Sequence, residues 1–178
     1  MNWQKLLWEF RWRLWKRFGK LLLPDAEPLD MVSELRIVVQ YPNKKREDLG
    51  IVSRQLITNE GKKQVLEALF GAGTYKIAFG GTSGTGDTPP SVNDTNLKNP
   101  IQTMPIDAVN YTIDTTNLRL KSEITIAYTQ PASVSEFAVW SKKNDIYITT
   151  ACFDRSVFPP INVDNDFYVS YYYTLEIA

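Results

Sequence analysis

The sequence FYVSYYYTLEI at residues 167–177 places an apolar or aromatic side chain at every second position. Successive side chains of a β-strand point to opposite faces, so this period of two predicts a strand with one buried face. The segment SELRIVVQYP at 33–42 has the same alternation and predicts a second strand of this kind. The residues expected on the buried face of 167–177 are Phe167, Val169, Tyr171, Tyr173 and Leu175.

Similar runs, separated by Gly, Pro, Asn and Asp, predict further strands along the chain. The segment 81–100, rich in Gly, Thr and Pro, is expected to form a long loop, and SVFPP at 156–160 an irregular corner. Roughly seven or eight short strands joined by turns predict a mainly β fold, an antiparallel β-sandwich of jelly-roll-like form. The further strands are expected near residues 50–58, 74–81, 103–114, 117–129, 134–141 and 145–154.

One short helix is expected within this β-rich region, in NEGKKQVLEALFGAG at 59–73. Asn59 has a side chain suited to an N-cap, and Gly71 can end the helix. The side predicted to be buried consists of Val65, Leu66, Leu69 and Phe70.

The composition of the 178-residue chain argues against several classes of protein. Histidine is absent, which removes the usual general base near neutral pH and the commonest metal ligand. Cys152 is the one cysteine, so neither a disulfide within the chain nor a cysteine-based zinc site is expected. A formal net charge of zero disfavours a uniformly basic nucleic-acid binder. We therefore expect no enzyme, no cofactor and no metal site.

Charge and proline positions divide the chain into three parts. Residues 1–23 hold six of the 20 basic residues and one of the 20 acidic residues, a net charge of +5, so the remainder carries −5. Pro24 and Pro28 end a helical pattern, and residues 24–32 are predicted to be a linker. Residues 33–178 form the predicted β-sandwich domain.

The segment 1–23 is predicted to be an amphipathic helix with two apolar faces. One face consists of Trp3, Leu7, Phe10, Leu14, Phe18 and Leu21. The other face consists of Trp8, Trp12 and Trp15. The first face begins with the alternating four- and three-residue spacing of a coiled-coil seam. Because an isolated helix cannot bury both faces, these nine residues are the predicted interface with copies of the chain or with other proteins.

The pattern of the same segment favours packing against protein over other roles. Charged residues interrupt every apolar run, which disfavours a signal peptide or a transmembrane span. A cationic amphipathic helix rich in Trp is also typical of segments that lie on a membrane surface. Its basic face would attract nucleic acid only through unspecific phosphate contacts.

Two segments share parts of ligand-binding motifs. GGTSGTGDT at 80–88 has the glycines of a phosphate-binding loop but lacks the Gly-Lys-Ser/Thr ending, so a surface loop is favoured. Asn162, Asp164 and Asp166 alternate as in a calcium loop, but Phe167 stands where that loop requires glycine. A solvated turn is therefore favoured over a weak cation site.

Catalytic and sugar-binding sets were considered in the same way. The serines have no histidine partner for nucleophilic catalysis, and Cys152 is expected to be a small buried residue. Two carboxylates from distant positions could meet as in glycosidases, but nothing local marks such a pair. Tyrosines could line a sugar-binding face, although alternating aromatic residues more often form core and packing surfaces. The tyrosines considered are Tyr111, Tyr128, Tyr147, Tyr168, Tyr171, Tyr172 and Tyr173.

Several short motifs occur between residues 50 and 178. They are T-x-x-G at Thr58 to Gly61, G-x-G at Gly84 to Gly86, Pro89-Pro90, and D-T-x-L at Asp94, Thr95 and Leu97. In this order, around a short helix and a small/Pro-rich loop, they resemble structural proteins of tailed viruses. The second half is similar to that family's x-E-x-G-L-F strand, its A-R-x-x-F-P-P corner and its closing strand. Ala138-Val139-Trp140 and Asp154-Arg155 depart from those patterns, and residues 1–48 have no counterpart.

The resemblance implies a virion β domain used in fibres, collars, turrets or tail appendages, without catalysis. We accordingly expect a homo-oligomeric virion structural protein that packs against other virion proteins and is anchored in the particle by residues 1–23. The loop 80–100 is expected to contact neighbouring subunits or the host surface. The alternatives are a membrane-surface protein and a carbohydrate-binding host-recognition module.

Overall fold

The computed structural model describes residues 31–102 and 104–177. The predicted anchor helix 1–23 and most of the predicted linker lie outside the described residues. Met31 and Val32, which the sequence pattern places in the linker, are the first residues of a strand.

The described residues form ten strands and one short helix. The first half of the chain contains β1 (Met31–Gln40), β2 (Arg46–Leu56), α1 (Asn59–Leu69), β3 (Tyr75–Gly84), β4 (Ile106–Asp107) and β5 (Asn110–Asp114). The second half contains β6 (Arg119–Tyr128), β7 (Ala132–Lys143), β8 (Ile146–Tyr147), β9 (Asp154–Val163) and β10 (Phe167–Ile177).

The strands are arranged in two antiparallel sheets. The first sheet has the order β2-β1-β10-β6-β5. In the second sheet β4 pairs with β3 and β3 with β7, while β8 and β9 pair with the opposite edge of β7. The described chain passes from one sheet to the other after β2, β4, β6 and β9. A mainly β fold with two antiparallel sheets and one short helix is therefore confirmed.

The core contains the alternating residues of both sheets. On β10 the predicted face is buried from Val169 to Leu175, and Phe167 is half-buried. The rings of Phe137 on β7 and Tyr171 on β10 stack with centroids 4.0 Å apart and planes 7° apart, which joins the two sheets at the centre. Their neighbours in the core include Leu35, Ile37, Val39, Ile124, Ile126, Val134 and Val139.

Helix α1 packs mainly by a different side from the one predicted, and of the four residues expected to be buried Val65 alone is half-buried against the core. Leu66, Leu69 and Phe70 were expected to be buried, but they are 54%, 73% and 82% exposed. The buried residues of the helix are Gly61 and Gln64. The prediction was wrong because periodicity finds the apolar residues of a helix without showing what lies beside them.

The T-x-x-G motif contains the two residues, Thr58 and Gly61, that determine where helix α1 begins. Thr58, rather than Asn59, is the N-cap, and its Oγ1 accepts a hydrogen bond from the N–H of Gly61 at 2.9 Å. The same hydroxyl donates to the carbonyl of Phe153 at 2.9 Å. A Cβ on Gly61 would overlap the Phe153 carbonyl oxygen, so glycine allows this close approach of the helix.

Three other boundaries differ from the prediction. The segment 156–160 lies inside β9 rather than at a corner between strands, and the irregularity expected there is a bulge: Phe158–Pro160 stands opposite Ser135 in the register with β7. Proline cannot donate a ladder hydrogen bond, and a bulge is one of the places in a sheet that tolerates it. The strand expected over 145–154 is reduced to the two residues of β8, and residues 81–84 extend β3 rather than belonging to the loop.

Phe137 stacks on Tyr171 at the centre of the core, so removal of the Phe137 ring should destabilise the fold strongly. We expect Phe137→Ala to lower the free energy of unfolding by about 3–5 kcal/mol, because it removes a fully buried ring and leaves a cavity. Phe70→Ala, at a residue that is 82% exposed, is the matched control and should change it by less than about 0.5 kcal/mol. Equilibrium urea unfolding measures both values, and equal losses would contradict the described core.

Candidate functional site

Three charged side chains are buried where β7 and β9 meet the loop that follows β3. The side chains of Arg155 and Glu136 have no exposed area, and that of Asp94 is 6% exposed. Arg155 Nε donates to Glu136 Oε2 at 2.9 Å, and Arg155 Nη1 donates to Asp94 Oδ2 at 3.0 Å. Lys98 Nζ lies 2.9 Å from Asp94 Oδ1, so two cations balance two carboxylates. We refer to Arg155, Glu136 and Asp94 as the ion cluster.

The pairing of β7 with β9 places two members of the ion cluster side by side. Arg155 lies opposite Ala138, and Glu136 is two residues from Ala138 on the same strand. Residues two apart on a strand point to the same face, so the guanidinium reaches the carboxylate diagonally across the strand pair. The third member, Asp94, is supplied by the loop.

Glu136 holds both ends of this loop through backbone hydrogen bonds. Its carboxylate accepts the N–H groups of Gly86 at 3.0 Å, Lys98 at 3.1 Å and Asn99 at 2.8 Å. A Cβ added at Gly84 or Gly86 would lie 2.5 or 2.6 Å from Glu136 Oε1. The G-x-G motif therefore leaves room for the carboxylate.

Asp94 and Arg155 fix the middle of the loop. Asp94 Oδ2 accepts the N–H of Ser91 at 2.9 Å, and Arg155 Nη1 also donates to the carbonyl of Thr88 at 3.1 Å. Leu97 is buried in a small apolar cluster with Trp140 and Cys152. The loop 80–100 is thus only partly exposed, because the segment 80–84, Asp94 and Leu97 are buried while the segment 87–93 is exposed.

Hydrogen bonding keeps both carboxylates of the ion cluster ionised. Burial alone would raise the pKa of Glu136, but the three backbone N–H groups and Arg155 hold that pKa below its ordinary value of 4.5. Burial likewise opposes ionisation of Asp94, and Lys98, the Ser91 N–H and Arg155 lower its pKa below the ordinary value of 3.8. All four carboxylate oxygens of the pair have hydrogen-bond partners, and through these bonds the cluster fixes the conformation of the loop.

A second surface is apolar and open. A groove of about 250 Å³ lies between helix α1, β3 and the β5–β6 turn. Ile113 and Leu118 in this lining are 66% and 57% exposed, and Leu69, one helical turn after Val65, is 73% exposed. Its apolar lining consists of Val65, Ile77, Ile113, Leu118, Leu120, Leu175 and Ile177, which we call the apolar groove.

The apolar groove was missed in the sequence. Ile113 and Leu118 flank a turn and follow no clear period, so nothing local distinguishes them from core residues. Leu69 was noticed, but as part of a buried helix face. A short helix that packs one side against a sheet buries few side chains. The four apolar residues expected to be buried, Val65, Leu66, Leu69 and Phe70, exceed that number, and this excess is the signal in the sequence.

The other side chains that the sequence offers as metal ligands or reactive groups are not brought together in the described structure. Asp164 and Asp166 are exposed in the turn before β10, and Asn162 is exposed on β9. Within the described ranges there is no group of three or more Asp, Glu, Cys or His side chains placed to hold a metal. Cys152 is buried, as predicted, and burial raises the pKa of its thiol to about 12.

The tyrosines separate into core and surface groups. Tyr128, Tyr171 and Tyr173 are buried, and Tyr171 therefore cannot contribute to a sugar-binding face. Tyr168 is exposed and Tyr172 is half-buried on the outer side of the first sheet. Tyr111 and Tyr147 are half-buried elsewhere.

The predicted interface of segment 1–23, from Trp3 to Leu21, lies outside the described residues. In residues 31–102 and 104–177, no helix combines the length and the apolar character needed to cross a bilayer. Comparison of the chain with protein-family models, with curated proteins and with solved structures finds no match. The resemblance to tailed-virus structural proteins therefore stays a prediction.

The ion cluster predicts a specific loss of stability. We expect Glu136→Gln to lower the free energy of unfolding by about 3 kcal/mol, because it leaves Arg155 buried with less compensating charge. Amide hydrogen exchange at Gly86, Lys98 and Asn99 should accelerate, since these N–H groups lose a charged acceptor. Glu60→Gln, at an exposed ion pair, is the control, and a loss as small as the control's would argue against the cluster's role.

The same cluster predicts a dependence on pH. Because the pKa values of Glu136 and Asp94 are lowered by folding, their stabilisation is complete above the unfolded values of 4.5 and 3.8 and is lost as the pH falls through the folded values. Buried Asp154, whose pKa is raised mainly by desolvation, acts in the opposite direction.

Comparison with Glu136→Gln cancels the Asp154 contribution, because both proteins retain that residue. We expect the stability difference between wild type and this variant to be constant from about pH 7 to about pH 5 and to shrink below about pH 4.5. Urea unfolding at each pH measures it, and a difference that grows on acidification would contradict the ionised state of Glu136.

Proposed function

We propose that the protein is an oligomeric structural subunit of a tailed-virus particle, in a collar, turret, fibre or tail appendage. In this proposal residues 1–23 anchor the β domain in the particle, and the chain has no enzymatic role. We also propose that its two sheets form a β-sandwich with jelly-roll-like connections. The core shared by both sheets and the repeated passage of the chain between them support that assignment.

The observation that carries the proposal is the meeting of the resemblance motifs in space. Thr58 and Gly61 dock the helix on Phe153, two residues before Arg155. Gly84 to Gly86 and Asp94 converge on Glu136 and Arg155. Motifs scattered over about 100 residues thus serve one purpose, a rigid loop on a rigid frame. This is what a shared structural fold requires, and it supports the family resemblance over a chance match of short patterns.

Exposed apolar surface supports an assembled state. The apolar groove keeps Ile113 and Leu118 more than half exposed in the isolated chain. Apolar patches of this kind commonly mark protein interfaces. The sequence adds two apolar faces in segment 1–23, and each fully buried large side chain contributes about 1.5–3 kcal/mol before the cost of ordering. Both features favour packing against copies of the chain or against other virion proteins.

The oligomeric state tests the proposal. We expect light scattering of the full chain to give a mass that is a multiple of 20.4 kDa. The double variant Leu7→Lys/Leu14→Lys should shift the mass to 20.4 kDa, because it places two charges in the predicted seam. Asn2→Lys/Gln4→Lys adds the same charge at polar positions of the same segment and should leave the oligomer intact.

A monomeric wild type that also binds no other virion protein would overturn the proposal. Equal dissociation by both double variants would show that added charge, and not the loss of the seam, disrupts the oligomer. In that case the seam that contains Leu7 and Leu14 would not be the contact. An oligomer that survives Leu7→Lys/Leu14→Lys would show that residues 1–23 are not the anchor.

A further inference from the structure

The outer face of the first sheet carries a trough between two tyrosines. Tyr168 and Tyr172 are four residues apart on β10, so both side chains point outward, with Cα atoms roughly 13 Å apart at about 3.3 Å per residue. Ser170 lies midway between them, and its cross-strand neighbours are Val38 on β1 and Thr125 on β6. Three small side chains therefore form the floor, and two aromatic rings form the ends of a trough of about 190 Å³.

Polar groups beside the rings are held in place by their neighbours. Arg46 Nε donates to Gln40 Oε1 at 2.9 Å next to Tyr168. The hydroxyls of Thr125 and Ser170 are hydrogen-bonded at 2.8 Å. These groups keep further donor and acceptor capacity, because an arginine has five N–H donors and each hydroxyl oxygen has two lone pairs. A ligand would thus meet pre-positioned hydrogen-bonding groups.

At the Tyr172 end of the trough, neighbouring side chains likewise hold the ring and the polar groups in place. The guanidinium of Arg36 lies 5.7 Å from the centre of the Tyr172 ring, and it forms an ion pair with Asp48. Glu123 lies opposite Tyr172 on β6 and accepts a hydrogen bond from Asn110 at 2.6 Å. At the other end of the trough, Tyr168 is 43% exposed. One ring is therefore anchored, and the other is open to solvent.

The charge of the trough discriminates between classes of ligand. Its lining contains one cation, Arg46, and one anion, Glu123, so it carries no net charge. Binding to nucleic acid depends on an excess of Lys and Arg that neutralises phosphates, and the trough lining has no such excess. A sugar ring has apolar C–H faces that pack on aromatic rings and hydroxyls that both donate and accept hydrogen bonds. Two aromatic ends, a polar floor and zero net charge match that chemistry.

We propose that the trough between Tyr168 and Tyr172 binds a neutral sugar residue of a glycan. The trough lies on β1, β2, β6 and β10, apart from both the ion cluster and the apolar groove. The inference therefore does not depend on the assembly proposed above, and an assembled particle subunit with this face outward would carry one such site per copy.

A glycan array tests the site on the full chain. The array displays neutral and acidic glycans, and the strongest neutral binder is then titrated as a free oligosaccharide by calorimetry. We expect Tyr168→Ala, which removes the open ring, and Ser170→Trp, which fills the floor, each to weaken binding by roughly tenfold or more. Ser133→Trp places the same indole at an exposed position on β7 in the other sheet and should bind like the wild type.

Three results would overturn the proposal. They are a wild type that binds no neutral glycan, unchanged affinity in Tyr168→Ala, and binding that a single-stranded oligonucleotide displaces. Urea unfolding of each variant shows whether it folds. If Ser170→Trp does not fold, Tyr168→Ala decides the outcome, because its side chain is at the surface. If the full chain is monomeric but still binds the glycan, the result counts against the assembly proposal alone.

Discussion

The guanidinium of Arg155 is buried against the carboxylates of Glu136 and Asp94, and the loop after β3 depends on this contact. A buried cation is costly unless opposite charges and hydrogen bonds surround it, and removal of one partner leaves the others uncompensated. Here Glu136 also accepts three backbone N–H groups, so the energy of the ion pair is coupled directly to the conformation of the chain. A loop of more than a dozen residues is thereby fixed at several points.

This arrangement separates a rigid frame from the surfaces available for binding. The stacked rings of Phe137 and Tyr171 join the sheets, and the ion cluster joins a long loop to β7 and β9. The exposed surfaces include the segment 87–93, the apolar groove and parts of the outer face of the first sheet. These surfaces suit contacts with other molecules, because the frame beneath them has little freedom to rearrange.

Several features were predictable because they are encoded locally. Alternation located β1 and β10 and chose their buried faces, since a period of two assigns alternate residues to opposite sides of a strand. Cys152 was correctly expected to be buried. The same local reasoning failed at helix α1, where Leu69 and Phe70 are exposed, and at Pro159 and Pro160, where a bulge allows proline within a strand. In each failure the deciding neighbour lies far away in sequence.

The sequence by itself determined the mainly β character, the buried faces of β1 and β10 and the segregation of positive charge into residues 1–23. Only the tertiary structure decided that Asp94, Glu136 and Arg155 form one cluster, because Arg155 is 19 residues from Glu136 and 61 from Asp94. It also decided that Tyr171 belongs to the core while Tyr168 and Tyr172 face outward. The physical reason is that periodicity assigns a side chain to a face, whereas strand pairing and loop conformation determine which groups meet across that face.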